Sequence, residues 1–162
     1  MADHLGRMIN LRHATPADSL FLAALERDVM ETHTLALWGQ FHPAVLSAFD
    51  LSNTRVALFD GQAVGYLMVE REDRHLRLRK LYLAPGVQGR GWGRQLLALV
   101  RREADAANLT LRLSVLRPNV RALAFYQREG MIETESTADR IFLEMPRARL
   151  SADVLESAAS PL

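Results

Sequence analysis

Leu81-Tyr82-Leu83-Ala84-Pro85-Gly86-Val87-Gln88-Gly89-Arg90-Gly91-Trp92-Gly93-Arg94 reads as a strand that passes through a glycine-rich bend into the start of a helix. Glycines let a backbone approach a ligand closely, and the unpaired N–H groups of a first helical turn favour a phosphate. Two familiar phosphate loops do not fit. A P-loop needs Lys and then Ser or Thr after its last glycine, whereas Gly91 is followed by Trp92-Gly93. A dinucleotide fingerprint starting at Gly89 needs Gly or Ala at position 94, where Arg94 stands. A plain glycine-rich turn between strand and helix is the remaining alternative.

Downstream of the bend, Trp92, Leu96, Leu97, Val100 and Ala104 form the apolar stripe of a helix that ends at Asn108. Thr110–Val115 then reads as a strand. Asn119–Arg128 is a short helix stopped by Gly130, and Met131–Ser136 with Arg140–Met145 make a last strand pair. Asn119 and Tyr126 are seven residues apart, almost two turns, so they project to nearly the same side about 10 Å apart along the axis.

Upstream, Thr54–Phe59, the Asp60-Gly61 turn and Gln62–Glu70 predict a hairpin, since Asp-Gly supplies the positive φ of a tight turn. His75–Leu83 is the third strand of this meander. Met8–Ala14 is a further strand. Thr15-Pro16 opens a helix carrying Phe21, Leu22, Leu25 and Val29 on one face, and a second helix is expected over Thr34–Phe49, broken near His42-Pro43.

The order β-α-α-β-β-β-α-β-α-β-β holds one β-α-β crossover. It therefore predicts an α/β (α+β) domain: a mixed, mostly antiparallel seven-stranded sheet with one parallel strand pair and helices on both faces. Residues 1–146 are expected to form this single domain, and 147–162, rich in Ala and Ser, a mobile C-terminal tail.

Composition narrows the function. With 49% hydrophobic and 24% charged residues the chain has the makeup of one folded domain. No cysteine is present, which excludes disulfides, thiolate metal sites and cysteine nucleophiles. The five histidines show no HxxxH or HxH spacing, so no metal is expected. No apolar run is long enough for a bilayer span and no leader is visible, so a cytoplasmic protein without a membrane partner is expected. Arg77, Arg79, Lys80, Arg90, Arg94, Arg101 and Arg102 cluster, but the net charge of +1 and the lack of a recognition helix argue against a nucleic-acid partner.

Two motifs carry a family resemblance. Gln88-x-x-Gly91-x-Gly93 resembles the Q/R-x-x-G-x-G/A signature of the GNAT N-acetyltransferases, and Asn119-x-x-Ala122-x-x-x-Tyr126, followed by Gly130-Met131, resembles that family's second motif. The resemblance covers the order of elements from about Met8 to Met145. It implies acetyl transfer from acetyl-CoA to a primary amine by direct attack on the thioester, with a small-molecule or peptide acceptor. Position by position, it puts CoA pyrophosphate on Gly89, Arg90, Gly91, Trp92, Gly93 and Arg94 beside Gln88, and pantetheine and acetyl on Leu81, Tyr82 and Leu83. It makes Asn119 a pantetheine contact and Tyr126 the general acid for the departing thiolate. A core aromatic and a simple N-cap are the plainer readings of Tyr126 and Asn119.

The general base is where the resemblance stops. Some relatives carry a glutamate at the position of Ser114, and others an acidic residue in the third strand, where this chain has none. By type Glu70, Glu72, Glu31 and His33 are candidates, Glu70 being best placed at a strand end. Glu31 and Trp38 are candidate acceptor-pocket residues. A CoA-binding sensor without turnover is the alternative reading, and the oligomeric state, a homodimer included, is left open.

Overall fold

The computed structural model describes residues 8–42 and 50–147. Strand β1 (Asn10–His13) leads into a short 3-10 turn, Pro16–Asp18, and helix α1 (Ser19–Trp38). Strands β2 (Thr54–Phe59), β3 (Gln62–Arg71) and β4 (His75–Leu83) form the meander. Helix α2 (Trp92–Ala106), strand β5 (Thr110–Leu116), helix α3 (Val120–Arg128) and strands β6 (Ile132–Ser136) and β7 (Arg140–Glu144) follow among the described residues. The seven strands lie in one sheet of order β1-β2-β3-β4-β5-β7-β6, antiparallel throughout except for the pair β4 and β5. This is the mixed sheet expected from the element order.

One expected element differs. Thr34 does not open a second helix: its hydroxyl donates to the carbonyls of Met30 and Glu31, and α1 runs on to Trp38. The stop is Gly39, whose φ of 68° suits a glycine and whose N–H closes on Leu35 O at 2.9 Å. The rest of the expected helix, including the break at Pro43, lies largely outside the described residues, as does the expected tail beyond Arg147.

At the entry to α1, Asp18 accepts from the Thr15 N–H at 2.8 Å and pairs with both terminal nitrogens of Arg12 at 2.8 and 2.9 Å. Those bonds, Arg12's foremost, lower the Asp18 carboxyl from 3.8 to about 2. Because the folded value is depressed, the stabilisation is full above about pH 4 and is lost as the pH falls towards 2. It amounts to on the order of 2 kcal/mol. Asp18→Asn is expected to lose about that much in denaturant unfolding at pH 7 and to differ little from the parent near pH 2. An equal loss at both pH values would show that the carboxylate charge is not the cause.

Side chains of the sheet alternate between two cores. Ala57, Leu67, Leu76, Leu78, Leu111 and Leu143 pack with the α2 stripe Trp92, Leu96, Leu97 and Val100 on one face. Val56, Tyr66 and Met68 pack with Leu22 and Leu25 of α1 on the other. The alternation breaks in β4 where β3 pairs Met68 with Lys80 but Val69 with Leu78, leaving Arg79 as an extra residue. This bulge moves Lys80 and Tyr82 to the α1 face and Leu81 and Leu83 to the α2 face. Gly65 allows the close approach of the two strands beyond it, since a Cβ there would collide with the Tyr82 carbonyl.

The same point divides the sheet. Parallel pairing of β4 with β5 covers only His75 with Thr110, Leu76 with Leu111 and Arg77 with Arg112. Past Arg77 the two strands diverge, β5 being held by β7 and β4 by β3.

Candidate active site

The divergence opens a cleft of about 1440 Å³, walled by β4 on one side, β5 and α3 on the other, and roofed by the glycine-rich loop. Its mouth is set by the loop. Pro85–Val87 forms one 3-10 turn, with Val87 N–H bonded to Ala84 O at 3.0 Å. Gly89 and Gly91 then take φ values of 81° and 80°, and a Cβ on either would meet open space. Among the described residues no protein acceptor is found for the N–H groups of 88–94, and the first amide of the segment to donate is Gln95, to Gly91 O at 3.2 Å. Six unbonded N–H groups at a helix start, Gly89 to Arg94, form an electropositive concavity suited to a diphosphate.

The expected loop residues divide by role. Gly89, Gly91, Gly93 and Arg94 line the cleft with Gln88. Gln88 turns inward, its Nε2 donating to Leu83 O at 3.0 Å, so it ties the loop to the end of β4. Trp92 is 6% exposed and its ring lies 4.4 Å from Phe59, so the side chain belongs to the core and only its main-chain N–H belongs to the loop. The Arg90 guanidinium lies over the Trp92 ring at 5.5 Å, outside the cleft lining. The Arg94 side chain is largely exposed and 3.5 Å from Glu129.

Helix α3 brings the second motif to the cleft. Asn119 is its N-cap, with Oδ1 accepting from Ala122 N–H at 3.2 Å, and it also lines the cleft. Tyr126 faces inward beside Phe125, ring centroids 5.0 Å apart, and Phe125 in turn lies over Gly93, so α3 and the loop pack together. Burial pushes the Tyr126 phenol upward, which keeps its proton on at neutral pH. Tyr82 is also pushed upward, first by burial, then by Glu26 and Tyr126, with Arg140 opposing. Leu81, Tyr82 and Leu83 all line the cleft, on the stretch of β4 beyond its pairing with β5.

Of the acceptor-side candidates, Trp38 lines the cleft and its Nε1 donates to Asp139 Oδ2 at 3.3 Å, joining the end of α1 to the β6–β7 turn. Glu70 lines it too, with Oε2 held by Arg79 Nε at 2.8 Å. His33 is there, its imidazole lowered by burial. Glu31 is not brought to the cleft: it lies 4.0 Å from Arg27 on α1, about 140° around the helix from the face that meets the sheet at Glu26. Sequence reasoning passed over Glu26, whose Oε1 accepts from Lys80 Nζ at 2.7 Å and whose Oε2 is enclosed without a partner among the described residues. The signal was present, a carboxylate set between Leu22, Leu25 and Val29 on the apolar face of α1. It also passed over Arg140, which donates to Ser114 Oγ at 3.3 Å.

Comparison with known proteins gives a family match over residues 21–131, described as the acetyltransferase (GNAT) family. An uncharacterized N-acetyltransferase of Mycobacterium tuberculosis is 41% identical over 76 residues, 46% of this chain and 49% of that protein. The chain thus spans about half the length of the curated relatives it matches. The crystal structure of a ribosomal-protein-alanine N-acetyltransferase from Brucella melitensis superposes with a TM-score of 0.66 at 27% identity, covering 83% of this chain and 98% of that one. PaiA N-acetyltransferase from Thermoplasma acidophilum, crystallised in complex with coenzyme A, shares the fold at 17% identity, with a TM-score of 0.67 over 86% of this chain and 99% of that one. With the match extending over well more than half of its residues, from α1 through the glycine-rich loop to the end of α3, the chain belongs to the acetyltransferase (GNAT) family.

Proposed function

We propose that the protein is an N-acetyltransferase that binds acetyl-CoA in the cleft between β4 and β5 and transfers the acetyl group to a primary amine arriving from the α1 face. The observation that carries this reading is the row of unbonded amides from Gly89 to Arg94 above open space, at the mouth of a cleft with Tyr126 at its inner wall. The family match and the coenzyme A complex of PaiA support it.

In this reading the amides of 89–94 hold the diphosphate and Arg94 adds positive charge beside it. The main chain of Leu81–Leu83, freed from β5 by the divergence, supplies N–H and C=O groups for an extended amide-bearing arm. Asn119 stands on the opposite wall. Acetyl-CoA supplies an acetyl group already activated as a thioester. Tyr126 directs its O–H toward the sulfur and stabilises the charge that develops there. A phenol pushed upward gives up a proton only if one is returned, and the amine nitrogen, which must lose protons to become an amide, is the source. Glu26, Glu70 and His33 are the groups of the cleft able to pass that proton outward.

Two measurements test the reading together: calorimetric titration with acetyl-CoA, and release of free CoA thiol across a panel of primary amines. Saturable binding with amine-dependent thiol release is expected. Absence of acetyl-CoA binding to the folded protein would overturn the reading, and binding with no turnover of any amine would favour a CoA sensor.

A further inference from the structure

The α1 face of the divided sheet carries charges of both signs that acetyl-CoA binding does not use. On the β4 side stand Glu26 and Lys80, joined at 2.7 Å, with Glu26 Oε2 enclosed and lacking a hydrogen-bond donor among the described residues. Opposite them, β5 and β7 present Ser114 and Arg140, which share that face because Leu113, Val115, Ile141 and Leu143 point to the α2 core. Arg140 differs from the cations of β4. Arg77 has Glu72, Arg79 has Glu70 and Lys80 has Glu26 as carboxylate partners, whereas Arg140 has only a serine hydroxyl among the described residues.

An exposed arginine is ordinarily just solvated. Two observations set this one apart. Arg140 belongs to the cleft lining together with Glu26 and Tyr82. It also stands on the same face of the sheet as Tyr82, across the divergence of β4 from β5, because its neighbour Ile141 points to the α2 core while Tyr82 packs on the α1 side. The Trp38–Asp139 bond, adjacent in sequence to Arg140, bounds the space between them on the side of the α1 terminus. A carboxylate with an unfilled oxygen and a guanidinium without a carboxylate, on two walls of one cleft, make a bipolar pocket, complementary to a ligand bearing both charges.

We infer that the acceptor is a primary amine that also carries an anionic group, an amino-acid-like molecule, with Glu26 receiving the ammonium and Arg140 the carboxylate. The inference rests on the acetyl-transfer reading and narrows its acceptor.

The experiment follows thiol release by the full chain at saturating acetyl-CoA with matched amines. Glycine, alanine, β-alanine and 4-aminobutyrate are set against glycinamide, alaninamide and alkylamines of the same length. At least one carboxylate-bearing amine is expected to exceed its uncharged counterpart in kcat/KM by about tenfold or more. Arg140→Ala should erase that preference, chiefly through KM, while leaving the uncharged amines and acetyl-CoA affinity unchanged. Arg140→Lys should restore part of it. Glu26→Gln should weaken all amines, with melting temperature recorded because Glu26 is partly buried. Arg140 is exposed, so its variants decide the matter even where Glu26→Gln fails to fold. Uncharged amines turned over as well as the acids, or a preference that survives Arg140→Ala, would overturn the inference. Intact acetyl-CoA binding with no turnover of any acid counts against it alone, whereas loss of acetyl-CoA binding to the parent protein would remove acetyl transfer itself.

Discussion

Tyr126→Phe is expected to lower kcat by about 10²- to 10³-fold and to leave the dissociation constant for acetyl-CoA within about threefold of the parent. The substitution removes one oxygen and keeps the ring, so the packing against Phe125 survives, and Phe125 still supports the loop through Gly93. In the proposed reading, affinity for the co-substrate is carried mainly by the unbonded main-chain groups of 89–94, which the change does not touch. What is lost is a hydrogen-bond donor in a buried position, the group that in the proposed reading stabilises charge developing on sulfur. The pH profile offers a second check. Because burial raises the phenol, Tyr126 stays protonated through the usual assay range, and any alkaline limb below about pH 10 belongs to another group. Parent and variant should therefore share the same profile shape at different heights. Unchanged kcat would remove Tyr126 from the chemistry.

What was legible in the sequence followed from periodicity and glycine. The Asp60-Gly61 hairpin appears as read, with both residues at positive φ, and so does α2, whose stripe of Trp92, Leu96, Leu97, Val100 and Ala104 is buried. One crossover in the element order was enough to require the single parallel pair, β4 with β5. The bulge at Arg79 was not legible. Simple alternation from Leu76 and Leu78 would put Lys80 and Tyr82 on the α2 face, and one extra residue reverses this for the whole end of β4 that faces the cleft. The mark of the bulge, the shift of the leucines from positions 76 and 78 to 81 and 83 across Arg79-Lys80, is masked because Leu81-Tyr82-Leu83 is apolar at every position. For that reason the Glu26–Lys80 contact, between residues 54 positions apart, could not be read from the chain. The length of α1 was misjudged for a local reason: a second helix was expected from Thr34, but Thr34 is mid-helix and its hydroxyl turns back to preceding carbonyls. Trp92 illustrates the limit of motif transfer. Its place in the loop is set by its amide, while its indole is committed to Phe59 and the core.

Gly91 and Gly93 look equivalent as letters of one motif, and the geometry separates them. Gly91 is the N-cap of α2 at φ 80°, a conformation that costs a β-branched residue about 1–3 kcal/mol, and a Cβ there would project into the open space before the amides. Gly91→Val must therefore either hold the strain with a side chain where the diphosphate is expected, or relax and turn the amides away. Either way acetyl-CoA affinity should fall by about 100-fold, the factor that corresponds to some 2.7 kcal/mol. Gly93 lies inside the helix without a positive φ, and a Cβ there would meet Phe125 Cζ at 3.5 Å and Leu83 Cδ1 at 3.8 Å, ordinary contact distances. Gly93→Ala also gains helix propensity, so its melting temperature should hold or rise, with affinity changed by about threefold at most. Calorimetric titration of both variants decides between two origins of binding. A large loss at Gly91 alone locates it in the bend that aims the amides. Equal losses at both positions would mean that the ligand rests directly on Gly93, and parent-like affinity in Gly91→Val would take the loop out of co-substrate binding.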